Sequence, residues 1–380
     1  MSAFTATLLL IEFLDEVIFN FVGAAMPRIR GDLGLSYAQI GLLLTLPLLA
    51  GNLIEPLLGV LGDVWRRKAL IVGGGIALAL AMTAFATART FPVLLIAMVA
   101  SYPASGAFVT LSQATLMDVN PGREEQMMAR WTAVGSMGYI VGPLMVTLAF
   151  AAGFGWRGLY LGLAVGAAVL AIALWRRPFD RRRGDASEAD ERYGLREVLK
   201  AIGDSKLLRW LALTHAADLM LDILLGFVAL YFHDVLGLSD AGASAAVLVA
   251  TSAGFIGDLL LIPLLDRVKG LTLVRWTAVV VLVLYIAWLG INWLPAKYIL
   301  LALIQLGVIG WYQVLQGRAY AALPGKSGTV MAASSIVGFV SSLIPLGLGL
   351  VAERFGLTAA MWLLAVGPVS LILFLPYDGP

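Results

Sequence analysis

Cysteine is absent from the 380 residues, which excludes disulfides, thiol nucleophiles and Cys-ligated metals. Histidine is nearly absent too: His215 and His233 are too few for a His-rich metal site, and no resident metal is expected. Charge is scarce, at 13% of residues against about a quarter in soluble domains. The net charge of +2 gives no reason to expect a nucleic-acid partner. No Gly-x-x-x-x-Gly-Lys-Ser/Thr loop occurs, so an ATP-binding P-loop within the chain is excluded. No nucleophile with its base and no metal triad stands out, so the chain does not read as an enzyme and no cofactor is expected. The first residues lack a basic stretch before the apolar run, so no cleavable signal is expected and that run should stay as a span.

What the chain has in abundance is apolar surface: 60% hydrophobic residues and a mean hydropathy of +0.91. That composition belongs to an all-α, polytopic membrane protein with the lipid bilayer as its solvent. Twelve apolar segments lie near 4–26, 37–61, 69–88, 91–117, 127–152, 157–175, 207–231, 242–265, 272–294, 296–320, 327–351 and 357–376. The one long hydrophilic stretch, 176–206, separates a bundle of six segments at 1–175 from another six at 207–380. Within it, LREVLKAIG has the pattern of a short amphipathic helix lying on the membrane surface. If the ends and this linker are cytoplasmic, the inner loops collect most of the lysine and arginine. The outer side then holds only Arg28, Arg30, Arg89, Arg157, Lys297 and Arg354. That asymmetry places both termini inside.

The two halves echo each other at a constant shift of 203 positions. Glu12 meets His215, Asp15 meets Asp218, Gly34-Leu35-Ser36 meets Gly237-Leu238-Ser239, Glu55 meets Asp258, and Asp63 meets Asp266. Acids and turn residues recurring at one shift mark two copies of one unit, hence two pseudo-symmetric six-helix bundles.

The first segment carries Glu12, Asp15 and Glu16 at its middle. Each charge at the centre of a bilayer costs roughly 2.5–3.5 kcal/mol on insertion scales, so these groups need a wet cavity, a partner or a proton. With Asn20 and Gly23 they fall on one side of the helix, within an arc of about 140°. Segment seven likewise puts His215, Asp218 and Asp222 on one face. Crowded carboxyls out of water share protons rather than all ionise, the property a proton-exchanging site requires. Asn52 and Glu55 form a stripe on segment two beside the helix-bending Pro56. Glu55 and its echo Asp258 either face the cavity or brace the halves. Segment four presents Tyr102, Ser105 and Gln113, and segment ten presents Gln305, Tyr312 and Gln316. Such side chains offer apolar area together with hydrogen bonds, which suits a substrate of mixed polarity; packing between helices uses the same groups. Segments three, six, nine and twelve have no charge in their cores. A bundle in which every third helix faces lipid produces this pattern, and the remaining helices then enclose a polar cavity.

Between segments two and three the chain reads Gly59-Val60-Leu61-Gly62-Asp63-Val64-Trp65-Arg66-Arg67-Lys68. An acid at a helix end followed by a basic turn can pair with a neighbouring helix end and hold the cytoplasmic side closed. With Gly59, Asp63, Arg67 and Lys68 at matching places, this resembles the loop signature of the major facilitator superfamily, departing from it at Val64 and Arg66. The second copy keeps Asp266-Arg267-Val268-Lys269-Gly270. In segment five, Gly138 and Gly142 stack one above the other ahead of Pro143, allowing a close helix approach. The stretch Gly135 to Pro143 resembles the fifth-helix motif of the antiporter branch, with Val146-Thr147 where that branch usually has Gly-Gly. The acidic first helix followed by LGLSYAQIGLLL and LIEPLLGVLGD looks most like fosmidomycin-resistance-type efflux permeases.

These resemblances imply two six-helix bundles with a central substrate path and alternating access, in a bacterial inner membrane. They imply a cytoplasmic gate at Asp63, Arg67, Lys68, Asp266 and Arg267, and protons as the coupling ion. The expected activity is secondary active transport, by proton antiport, of a small cationic, zwitterionic or neutral amphiphilic molecule. Segment four offers no arginine, which disfavours an anionic substrate. Uptake or facilitated exchange of a metabolite is the alternative, and a divalent-cation carrier using Glu12, Asp15, His215 and Asp218 a further one. One chain is enough to build a complete pathway, so the functional unit is expected to be a monomer.

Overall fold

The computed structural model describes residues 3–64, 67–120, 124–177, 203–265, 267–322 and 327–376. Among these the regular structure is helical throughout. α1 is Ala3–Leu33, α2 Tyr37–Val64, α3 Arg67–Thr87, α5 Glu124–Ala151, α6 Trp156–Trp175, α8 Asp240–Leu265 and α9 Gly270–Gly290. The other spans are interrupted. α4 runs through Phe91–Ser105, a wide π turn Gly106–Thr110, and Leu111–Asp118. α7 consists of Ser205–Asp218, a π turn Leu219–Ile223, Leu224–Leu230 and a second π turn Tyr231–Val235. α10 joins Leu294–Gly307 to Trp311–Ala322, α11 joins Ser327–Ser341 to Ile344–Phe355, and α12 joins Leu357–Leu363 to Val366–Phe374.

Eleven of these spans are long and apolar enough to cross a membrane by length and composition. The twelfth, α1, is 31 residues long and differs in the carboxyls at its middle. The linker region 178–202, with most of the proposed surface helix, lies outside the described residues.

The repeat has a structural meaning at the first turn of each copy. Gly34 adopts φ 63° and Gly237 φ 70°, the left-handed conformation that ends a helix without a Cβ penalty. Leu35 N–H then reaches back to the Arg30 carbonyl, and Gly237 N–H to that of His233. Two residues on, a serine starts the next helix. Ser36 N–H donates to Gln39 Oε1 at 2.9 Å while Gln39 N–H donates to Ser36 Oγ at 3.2 Å, a reciprocal capping box. Ser239 Oγ accepts from Gly242 N–H at 3.3 Å in the same register. Spans four and ten also break in register: the π turn begins at Gly106, and α10 opens around Val308–Gly310 with Gly310 at φ 73°.

The described residues form two compact units, one drawn from 1–189 and 238–245, the other from 190–237 and 246–380. In the first, α1 lies along α5 and α6, and α3 packs on α6 and α4. Phe21, Phe85, Trp156 and Tyr160 fill its interior with edge-on and tilted ring contacts, Phe21 and Tyr160 at 4.7 Å between centroids. In the second, α7 packs on α10, α11 and α12, with Leu207, Leu211, Ala319 and Ala333 buried together. The spans with charge-free cores pair within each unit, α3 with α6 and α9 with α12.

Candidate functional site

In the first unit the acids of α1 lie against a row of glycines on α5. A Cβ on Gly135 would stand 2.7 Å from Glu12 Oε1, one on Gly138 2.5 Å from Glu16 Cβ, and one on Gly142 3.4 Å from Asn20 Cβ. Glycine at these steps lets the two helices approach until the polar side chains of α1 rest on the α5 backbone. Glu12 is buried there, 7% exposed. Asp15 turns to a different helix, accepting a 2.6 Å hydrogen bond from Ser105 of α4. Glu16 accepts from Asn20 Nδ2 at 3.2 Å, and the same amide donates to the Glu16 carbonyl at 2.8 Å. Tyr102, one turn before Ser105, stands edge-on to Phe19 at 4.8 Å. Two elements thus converge on the polar face of α1, the glycines of α5 and the hydroxyl of α4, beside α1's own Asn20 amide.

In the second unit, His215 Nδ1 lies 3.0 Å from Asp218 Oδ2 and 2.9 Å from the Ser341 hydroxyl of α11. His215 Nε2 is buried without a hydrogen-bond partner among the described residues. Asp222 is exposed and sits in the π turn that follows Asp218. That turn widens the helix and leaves carbonyls without regular partners, and wide turns of this kind recur at functional sites. Gln305, buried at 4% exposure, donates to one of them, Met220 O, at 3.2 Å. Its amide is therefore committed to holding the π turn. Tyr312 is half exposed, and Gln113 and Gln316 are half-buried. Among the described residues no group of His, Asp and Glu gathers closely enough to hold a metal ion.

Asn52 is exposed on α2. Glu55, Asp63 and Asp258 lie on α2 and α8, but their side chains are outside the described residues, as is Asp266 altogether. Arg267 is exposed in the turn after α8. Lys68, at the start of α3, donates to the Arg177 carbonyl at 2.8 Å, just past the end of α6. Arg67 starts the same helix, half-buried.

Sequence reasoning missed Ser341, whose only signal was its position, 203 residues after Gly138. It also counted Lys297 as a loop charge, whereas Lys297 is fully buried in the second unit. Its Nζ donates to Trp288 O at 2.6 Å and Tyr231 Oη at 3.0 Å, with the Tyr231 and Trp288 rings about it at 4.9 and 5.0 Å. Two ring faces and a carbonyl replace a carboxylate partner. The aromatics at 231 and 288 were the available clue.

Helices of membrane-crossing length, repeated in two units that each hold ionisable groups in mid-span, define a polytopic membrane transporter rather than an enzyme. The sequence profile of the Major Facilitator Superfamily matches residues 8–345, and the chain belongs to that family. Its members carry small molecules across membranes. A chloramphenicol resistance protein of Pseudomonas aeruginosa is 29% identical over 177 residues, 45% of this chain and 42% of that protein. The quinolone resistance protein NorA of Staphylococcus aureus (strain MSSA476) is 24% identical over 286 residues, 72% of this chain and 71% of NorA. Among solved structures, the nucleoside transporter NupG superposes with a TM-score of 0.78 at 15% identity, covering 98% of each chain. A bacterial homologue of the human lysosomal transporter Spinster, inward-facing and unoccupied, gives 0.77 at 16% identity, covering 99% of this chain and 95% of its own. At these identities the structural likeness concerns the fold.

Proposed function

We propose that this transporter is a proton-coupled antiporter that exports a small cationic, zwitterionic or neutral amphiphile, working by alternating access. The observation that carries the reading is the pair of mid-span clusters, Glu12–Asp15–Glu16 with Ser105 in one unit and His215–Asp218–Asp222 in the other. Carboxyls are costly in hydrocarbon, so they persist where water, a proton or a cationic substrate meets them. Asp222, exposed in mid-span, marks the wet face of α7, since facing lipid would be costly. The relatives named for chloramphenicol and quinolone resistance support a drug-like substrate and the outward direction. The acidic lining and the absence of arginine from α4 favour a cation or neutral molecule over an anion. We place the protein in a bacterial inner membrane as a monomer, with both termini and the linker cytoplasmic.

The test is the internal pH of proteoliposomes holding the purified protein while lipophilic cations, neutral drugs and divalent metals are added in turn. Proton movement tied to one class of organic compound is the expected result. Substrate flux without proton movement would refute the coupling, and a response to divalent metals alone would replace the reading with a cation carrier.

A further inference from the structure

Two contacts at one atom carry a further inference, which rests on the reading of α7 as part of a proton-handling site. His215 Nδ1 is within hydrogen-bond distance of both Asp218 Oδ2, at 3.0 Å, and the Ser341 hydroxyl, at 2.9 Å. A ring nitrogen either carries a proton and donates or holds a lone pair and accepts. An ionised Asp218 only accepts, so a protonated Nδ1 bonds to it. The Ser341 hydroxyl has another acceptor within reach, the Gly338 carbonyl at 3.0 Å on its own helix. With Nδ1 protonated, the ring donates to Asp218, and the Ser341 hydroxyl donates to Gly338 and offers the ring only its oxygen. With Nδ1 bare and the ring proton on Nε2, Asp218 no longer accepts from Nδ1–H, and the hydroxyl turns and donates across to His215. We propose that Ser341 is a positioning residue that donates from α11 to α7 only when His215 Nδ1 is unprotonated, so that arrival of a proton at Nδ1, which then donates to Asp218, loosens the tie.

The place of this contact gives it leverage. Ser341 is the last residue of the first helical piece of α11, which breaks there and restarts at Ile344 with Pro345 in its first turn. The helical ladder is interrupted between Ser341 and Ile344, and Pro345 has no N–H to bridge the gap, so the helix is jointed where the tie is made; α5 carries Pro143 without such an interruption. The first unit supplies the comparison. At the 203-residue shift Glu12 corresponds to His215, Gly135 to Gly338 and Gly138 to Ser341. Both mid-span groups rest on the corresponding glycine: a Cβ would stand 2.7 Å from Glu12 Oε1 at Gly135, and 3.6 Å from His215 Cε1 at Gly338. At Gly138, however, the first unit has no hydroxyl, and α5 runs unbroken from Glu124 to Ala151. The tie and the joint occur together in the second unit and are both missing from the equivalent place in the first.

The ionisable groups around His215 are few. Its own span carries Lys206, Arg209, Asp218 and Asp222, and further along Tyr231, His233 and Asp234, with Arg209 committed to the Phe374 carbonyl and His233 paired with Asp234. Packed against it, the second piece of α10 carries Tyr312, Arg318 and Tyr320, while the facing pieces of α11 and α12, Ser327–Ser341 and Val366–Phe374, carry none. Among the described residues of α11, Ser341 bonds directly to the ring.

Two histidines make a direct test practical. The His233→Gln protein, labelled with 15N-histidine in nanodiscs, reports the titration and tautomer of His215 alone by NMR. Loss of the Ser341 donor in Ser341→Ala weakens the bare-Nδ1 form. The titration midpoint should therefore rise by on the order of half to one pH unit, with the neutral ring moving toward the Nδ1–H tautomer. Ser341→Thr keeps the hydroxyl and should restore both. An unchanged midpoint and tautomer in Ser341→Ala, or a Thr variant displaced as far as Ala, overturns the proposal. The readout needs no transport: protein without proton-coupled flux that still shows the Ser341 effect would sink the antiport reading and leave the tie in place. Normal coupled flux with no Ser341 effect would do the reverse.

Discussion

At the scale of single residues, the acids of α1 are separated by what each one touches. Asp15 accepts from Ser105, and asparagine at that position keeps the accepting oxygen while losing the charge and the proton. Asp15→Asn is therefore expected to leave the fold intact and reduce proton-coupled flux at least tenfold, as is Asp218→Asn. Full flux with unchanged thermal stability in both variants would remove the two carboxyls from the mechanism. The glycines of α5 divide in the same way. At Gly138 an added Cβ meets Glu16 Cβ at 2.5 Å and the Phe13 carbonyl at 2.9 Å, so backbone must move. Gly138→Ala should cost about 1–3 kcal/mol, read as a lower unfolding temperature in detergent. At Gly135 the added Cβ meets only the end of Glu12, which can swing aside. Gly135→Ala should accordingly impair transport more than stability, and the opposite ranking would argue that Glu12 plays no part in flux. The face shared by Glu12, Asp15 and Glu16 was legible from their spacing. Asn20, four residues from Glu16, was legible with them, but the glycine seat and the serine were not, because those partners arrive from helices about 90 and 120 residues further along the chain.

At the scale of elements, the four spans whose cores lack charge share a device. Each ends in carbonyls that have no partner within the helix, and each is finished by a basic side chain from another span. Arg157 of α6 donates to Ala86 O and Ala88 O at the end of α3, at 2.9 and 2.6 Å. Lys68 of α3 reaches Arg177 O after α6. Lys297 of α10 closes α9 through Trp288 O, while Trp288 Nε1 donates back to Lys297 O at 3.1 Å. Arg209 bonds the last carbonyl of α12, at Phe374, and Arg275 bonds the Pro376 carbonyl just beyond it. An apolar helix without charges in its core can in this way end at the membrane surface with its carbonyls satisfied. Lys297→Ala should lower stability by about 2–4 kcal/mol, since it leaves a cavity and an unpaired carbonyl; Lys297→Met refills the volume and should recover part of it. Equal unfolding temperatures for the wild type and both variants would show that the cage contributes nothing. The sequence counted Arg157 and Lys297 only as loop charges, because a positive residue near a span end looks the same whether it faces water or a carbonyl.

At the scale of the whole molecule, the absence of cysteine allows the orientation to be read directly. In single-cysteine variants, Ser187→Cys in the linker should react with a membrane-impermeant maleimide only from the cytoplasmic side. Phe154→Cys, exposed between α5 and α6, should react only from outside. The reversed pattern would invert the proposed topology. The sequence alone determined the class, the helices and the twofold repeat. Hydropathy, glycine and serine punctuation and the constant shift of 203 are local or periodic properties that survive without any tertiary contact. Only the tertiary structure decided that Lys297 is caged, that Gln305 is committed to the α7 π turn, and that His215 shares one nitrogen between Asp218 and Ser341. Each of these joins residues from different helices, and pairing across 66 to 126 positions depends on packing angles and break points that no local pattern encodes.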